Sequence, residues 1–154
     1  MIKNFTNNKG FTFLGMMISL AIIATILGLS MLYYQTTQVR SDLNGQVSQF
    51  VSRVRLAQSD AKSGKGGVDH GVYVKYDRYV VFSGPSYVES AEGNFEIALP
   101  GTITMQNINL NGFGSTILFT SPDGETVTYG TLDFVAQDGS TRTITITQIG
   151  TVSY

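Results

Sequence analysis

The sequence predicts an α+β fold, a long N-terminal helix packed on an antiparallel β-sheet domain, and three observations carry that prediction. Residues 11–39 contain no charged side chain. From Val39 onward apolar residues recur in steps of three and four, which puts them on one face of a helix. Beyond Gly67 the pattern changes to short β-rich runs separated by turn residues, the signal for antiparallel strands. A helix with one apolar face and a sheet with one apolar face each bury the other. With 154 residues, a single soluble core behind an N-terminal anchor accounts for the chain.

The first element is a polar stretch, residues 1–10, M-I-K-N-F-T-N-N-K-G, whose charges are Lys3 and Lys9. The apolar run of residues 11–34 follows it. As a helix rising about 1.5 Å per residue it would be roughly 36 Å long, enough for a bilayer core of about 30 Å. One membrane crossing is the expectation. A secretory signal peptide is the rival, but there the small residue of the cleavage site follows the apolar region. Here Gly10 precedes it, so a cut after Gly10 would remove the leader and keep the anchor. Lys3 and Lys9 flank the N-terminal side, whereas Arg40 and Asp42 offset one another beyond the other end, which puts the N-terminus in the cytoplasm and the rest outside. Gly15 with Ser19, Ala21 with Thr25 and Ala24 with Gly28 give the anchor small residues at four-residue spacing, a pattern that lets helices approach closely. Tyr33 and Tyr34 stand where an aromatic belt would meet the headgroups.

The second element, residues 35–62, continues the anchor as an amphipathic helix. Val39, Leu43, Val47, Phe50, Val51, Val54, Ala57 and Ala61 share one face, with Arg40, Gln46, Arg53 and Lys62 on the other. Asn44-Gly45 is a point where a bend is expected, since glycine costs about 1 kcal/mol in a helix interior. S-G-K-G-G at residues 63–67 stops the helix. The β domain, residues 68–154, is expected to hold strands at 71–76 and 79–83, then 95–99, 102–105, 116–120 and a short run at 126–129. A final hairpin pairs 131–136 with 141–149 around Q-D-G-S, with Ile144, Ile146 and, after a break in phase, Ile149 facing the core.

Composition narrows the chemistry. Without the leader, eight basic residues stand against eleven acidic ones, a net charge of −3 that lacks the general footprint of a nucleic-acid binder. There is no cysteine, hence no disulfide framework and no thiolate chemistry. No nucleophile elbow or metalloprotease motif is present, and His70, the sole histidine, is expected to be a solvated loop residue beside Asp69. No catalytic, metal or cofactor residue is assigned, and the chain is read as a non-enzyme. G-K-G-G at residues 64–67 follows a helix and precedes a strand, the reverse of a phosphate-binding loop. Asp123, Glu125 and Asp138 offer oxygens for calcium, but each sits in a turn that accounts for it, and calcium needs six to eight ligands. Arg53, Arg55, Lys62 and Lys65 form a basic group near the helix end, without interleaved aromatics for stacking on bases.

The stretch G-F-T-F-L-G-M-M-I-S-L-A-I-I-A-T-I-L resembles the N-terminal signature of type IV prepilins and pseudopilins. The resemblance implies cleavage between Gly10 and Phe11 by a membrane prepilin peptidase, N-methylation of Phe11, a pilin-like fold, and assembly with other pilin or pseudopilin subunits. The fifth mature position, usually glutamate in that family, is Gly15. There the glutamate is held to neutralise the methylated amine of a neighbouring subunit, so glycine implies an altered role in assembly. The tail, with F-T-S-P-D-G, G-T-L-D-F and T-R-T-I-T-I-T-Q-I-G-T-V, is similar to the H-type minor pseudopilins of type II secretion and their minor-pilin relatives, which close on a glycine and a valine, here Gly150 and Val152. The function implied is a minor pilin or pseudopilin. The alternative is a DNA- or surface-binding minor pilin, for which Arg142 is the only basic residue near the tail.

Overall fold

The computed structural model describes residues 12–112 and 114–154, with the side chains of 30–37 outside that description. Lys3, Lys9, Gly10 and Phe11, and the side chains of Tyr33 and Tyr34, therefore lie outside the described residues. The chain forms two units, Met1–Thr37 and Gln38–Tyr154, and helix α1, Phe13–Lys62, has residues in both.

In the first unit the large apolar side chains from Phe13 to Leu29 are all exposed, at half to four-fifths of their surface. The two hydroxyls there are satisfied along the helix: Ser19 donates to the Gly15 carbonyl and Thr25 to that of Ala21, both at 2.8 Å. Among the described residues no helix is long and apolar enough to cross a membrane. Of the expected span, residues 11–34, the first residue and the side chains of 30–34 lie outside the description.

In the second unit the stripe predicted from periodicity is the core. Leu43, Val47, Phe50, Val51, Val54, Ala57 and Ala61 are buried, and Val39 packs partly buried against them. The helix stops at Lys62, and a single 3-10 turn, Lys65–Gly67, leads out through left-handed glycines. Eight strands follow: β1 His70–Val74, β2 Arg78–Ser83, β3 Phe95–Ala98, β4 Ile103–Leu110, β5 Thr116–Phe119, β6 Gly130–Ala136, β7 Thr141–Ile146 and β8 Val152–Ser153. They form two antiparallel four-stranded sheets rather than one, ordered β3-β2-β1-β5 and β4-β6-β7-β8. Val72 pairs with Val81 in the first, and Leu132 with Ile144 in the second. Phe50 joins the two through edge-to-face contacts, 5.0 Å from the Tyr79 ring and 5.4 Å from that of Phe134. Such pairs add about 0.5–1.5 kcal/mol beyond the area they bury.

Three local expectations are corrected. Residues 126–129 form no strand. The buried Thr126 and Thr128 hydroxyls bond each other at 2.8 Å, Thr126 Oγ1 takes the Thr128 N–H, and Thr128 Oγ1 takes the Leu118 N–H, so these side chains replace a ladder. Strand β7 ends at Ile146, because a tight turn closes with Thr147 N–H bonded to the Thr151 carbonyl. Ile149 is consequently 73% exposed instead of core-facing, and the buried apolar residue is Val152 on the unanticipated β8. Strand β4 runs further than expected, with a bulge between Gln106 and Asn109 where Asn107 takes a positive φ.

Candidate functional site

The described part of the N-terminal helix carries Gly15 one turn from its start, half-buried. Its N–H donates to Thr12 Oγ1 at 3.3 Å, and its carbonyl accepts the Ser19 hydroxyl. No carboxylate occurs among the described residues of this unit, and the apolar side chains around Gly15 are uncovered by the rest of the chain. From Phe13 to Leu29 the described helix carries no charged side chain, and its large apolar residues are exposed. Gly10 and Phe11 lie outside the described residues.

The second unit holds its C-terminal loops against α1 through polar side chains the helical pattern did not single out. Gln58 Nε2 donates to the carbonyls of Gly124 at 3.0 Å and Ile149 at 3.1 Å, and Arg55 donates to that of Val152 at 3.0 Å. Gly150 is buried at φ +80°, where a Cβ would run into the Gln58 amide and stand 2.9 Å from the Phe119 ring. That is the physical content of the tail's glycine and valine: Gly150 lets the chain pass beneath Gln58, and Val152 enters the core. A glutamine at a half-buried helical position was the only trace of this clamp in the sequence.

His70 is 5% exposed and opens β1, a correction to the solvated loop residue expected. Its Nε2 lies 2.9 Å from the Lys65 carbonyl and its Nδ1 3.1 Å from Ser83 Oγ, so Nε2 carries the hydrogen and Nδ1 accepts from the hydroxyl. The ring ties the post-helix loop to the sheet. Asp69 accepts the Ser121 N–H at 2.9 Å. Among the described residues no group of three or more His, Asp or Glu side chains is placed to hold a metal ion. Asp138 accepts the N–H and the hydroxyl of Ser140 at 2.9 and 2.8 Å, and these bonds, with Arg40 beyond them, hold its carboxyl below the usual range.

The four basic residues near the helix end do not form a common patch. Arg53 lies over the Phe95 ring at 4.9 Å, Arg55 is committed to Val152, Lys65 pairs with Asp60 at 2.8 Å, and the Lys62 stem lies against Gly124. Each is used within the fold. A different pair of cations is brought together: Arg40 and Arg142 line a cleft of about 180 Å³ with Leu43, Asn44, Ser140 and Thr141.

These features define a class, a helix whose large apolar side chains from Phe13 to Leu29 are exposed and a helix-on-sheets domain. Residues 5–31 match the family model described as the prokaryotic N-terminal methylation motif. No curated protein matches the chain. Among solved structures, the minor pseudopilin EpsH from the Type 2 Secretion System of Vibrio cholerae is similar, at 16% identity and a TM-score of 0.55. The likeness covers 73% of this chain and 94% of that one, and at such identity it is a likeness of fold.

Proposed function

We propose that this chain is a minor pilin or pseudopilin, a structural subunit of a type IV pilus or type II secretion pseudopilus. One observation carries the reading: a methylation motif at residues 5–31 runs into a helix whose large apolar side chains from Phe13 to Leu29 are all exposed, on a chain with an EpsH-like fold. On this reading residues 1–10 are a cytoplasmic leader and 11–34 the membrane anchor. Residues 35–62 carry the β domain, 68–154, on the far side. A prepilin peptidase cuts between Gly10 and Phe11 and Phe11 is N-methylated, so the chemistry is done to this chain and not by it. The exposed helix then leaves lipid for the helical core of a filament made with other subunits. DNA is not a favoured partner, because the cations near the helix end are dispersed into intramolecular contacts.

On the same reading, Gly15 bears on where the subunit sits within such a filament. An ion in an apolar helical core costs about 2.5–3.5 kcal/mol even on the lenient insertion scale. A subunit with glycine at this position can present its own Phe11 amine to a carboxylate elsewhere, but supplies none for a neighbour. Stacking this chain on itself would bury an unpaired amine at each step, so it enters the filament rarely, at the tip, where one set of such contacts is missing. Counting it in purified filaments and locating it by gold labelling tests this. A few copies at one end are expected; abundance equal to the major subunit, or labelling all along the shaft, would overturn it.

A further inference from the structure

We propose that the cleft between α1 and the β6–β7 turn is a phosphate site that takes the headgroup of an anionic phospholipid while the subunit is held in the membrane. This rests on the membrane-anchored reading above. The cleft, about 180 Å³, has Arg40, Leu43 and Asn44 on the helix side and Ser140, Thr141 and Arg142 on the strand side. It meets the open edge of β7: β8 pairs only with Thr145 and Ile146, so the preceding residues of β7 have no strand on that side.

Each guanidinium has one contact within the fold and keeps further donors for an anion. Arg142 Nε donates to Asn44 Oδ1 at 3.0 Å, which fixes the plane of the group and leaves its terminal nitrogens without a hydrogen bond among the described residues. Arg40 has a side chain 71% exposed, and its ion-pair contact is a long one, 3.7 Å from Nε to Asp138 Oδ2. Asp138 is already served by the Ser140 N–H and hydroxyl, so it competes weakly for Arg40, and with Arg142 counted the cleft keeps a net positive charge. A guanidinium fork matches the oxygens of a phosphate, and two forks from opposite walls suit a singly charged phosphodiester.

Position selects the source of the phosphate. Arg40 follows Tyr34, the end of the apolar run, by six residues, which keeps it within about 20 Å of that end in any conformation of the chain. On the membrane-anchored reading this keeps Arg40 near the headgroups of the leaflet that faces away from the cytoplasm, where an anionic lipid would offer its phosphate to the two guanidinium groups.

The test uses the full chain in an uncharged detergent, with retained phosphatidylglycerol or phosphatidylcholine counted by native mass spectrometry. Inorganic phosphate is titrated as competitor, and alkaline extraction of native membranes is run in parallel. Phosphatidylglycerol should be retained in preference to phosphatidylcholine. The Arg40→Gln/Arg142→Gln variant should lose about tenfold in retention, and Lys65→Gln should not. Arg40→Gln alone, at an exposed side chain, keeps the test open if the double variant melts early. Equal retention by the variants, or no preference between the lipids, would overturn the site. Inorganic phosphate binding as tightly as the lipid would overturn the lipid assignment and leave a soluble-anion site. Release of the chain by alkaline extraction would instead refute the membrane reading, and the phosphate titration would still report on the arginines.

Discussion

Tyr79 shows at the scale of one residue what the core demands. Its ring is fully buried against Phe50, and its hydroxyl has no hydrogen-bond partner among the described residues. Burial pushes its pKa up to about 12, with Arg53 pulling slightly the other way. A folded pKa above the unfolded value of about 10 adds stability that is complete below pH 10 and is lost as pH rises toward 12. Tyr79→Phe should therefore gain about 1 kcal/mol at neutral pH, because it removes an orphan hydroxyl. It should also flatten the loss of stability between about pH 10 and 12, and urea melts across that range read both effects. Gly150→Ala should cost about 2 kcal/mol or more, through a left-handed φ and the collision with Gln58, and a thermal melt reads it. Single residues were the least legible part of the sequence. His70 looked solvated because glycines surround it, yet its partners, Lys65 and Ser83, come from either side of β1, and only folding brings them together. The arginine cleft escaped for the same reason, since Arg40 and Arg142 lie at opposite ends of the second unit's sequence.

Among the elements, legibility follows the length of the pattern. The stripe from Val39 to Ala61 repeats over six turns of helix, and its seven positions from Leu43 onward are buried. Short strands have no such redundancy. Thr126 and Thr128 look like strand residues because threonine favours strands, but their hydroxyls satisfy backbone groups locally and no ladder forms. The break after Ile146 was visible as a lapse in alternation, while the return of the chain as β8 depended on the turn around Gly150. Division into two sheets was not written in the alternation, since either sheet alone gives the same pattern. A charge in the stripe tests the element directly: Val47→Asp or Val51→Asp should destabilise the second unit by about 3–5 kcal/mol, the cost of a buried unpaired ion after relaxation. Urea midpoints unchanged in both variants would show that this face is not the core.

For the whole molecule, the division of labour runs along α1. From Phe13 to Leu29 it is apolar and uncovered, and from Val39 onward it is the buried spine of two sheets. The α+β class was legible because both periodicities are long. The subunit role was legible only through local resemblances, G-F followed by an uncharged run and a tail that closes on Gly150 and Val152. Processing at that signature is the central claim, and the most direct measurement is the intact mass of the protein recovered from membranes with and without a prepilin peptidase. With the enzyme, the account predicts a chain that has lost residues 1–10 and gained one methyl group on Phe11, and a Gly10→Leu variant that stays uncut yet membrane-bound. An intact N-terminus after co-expression with an active peptidase, or a Gly10→Leu chain processed like the parent, would contradict it.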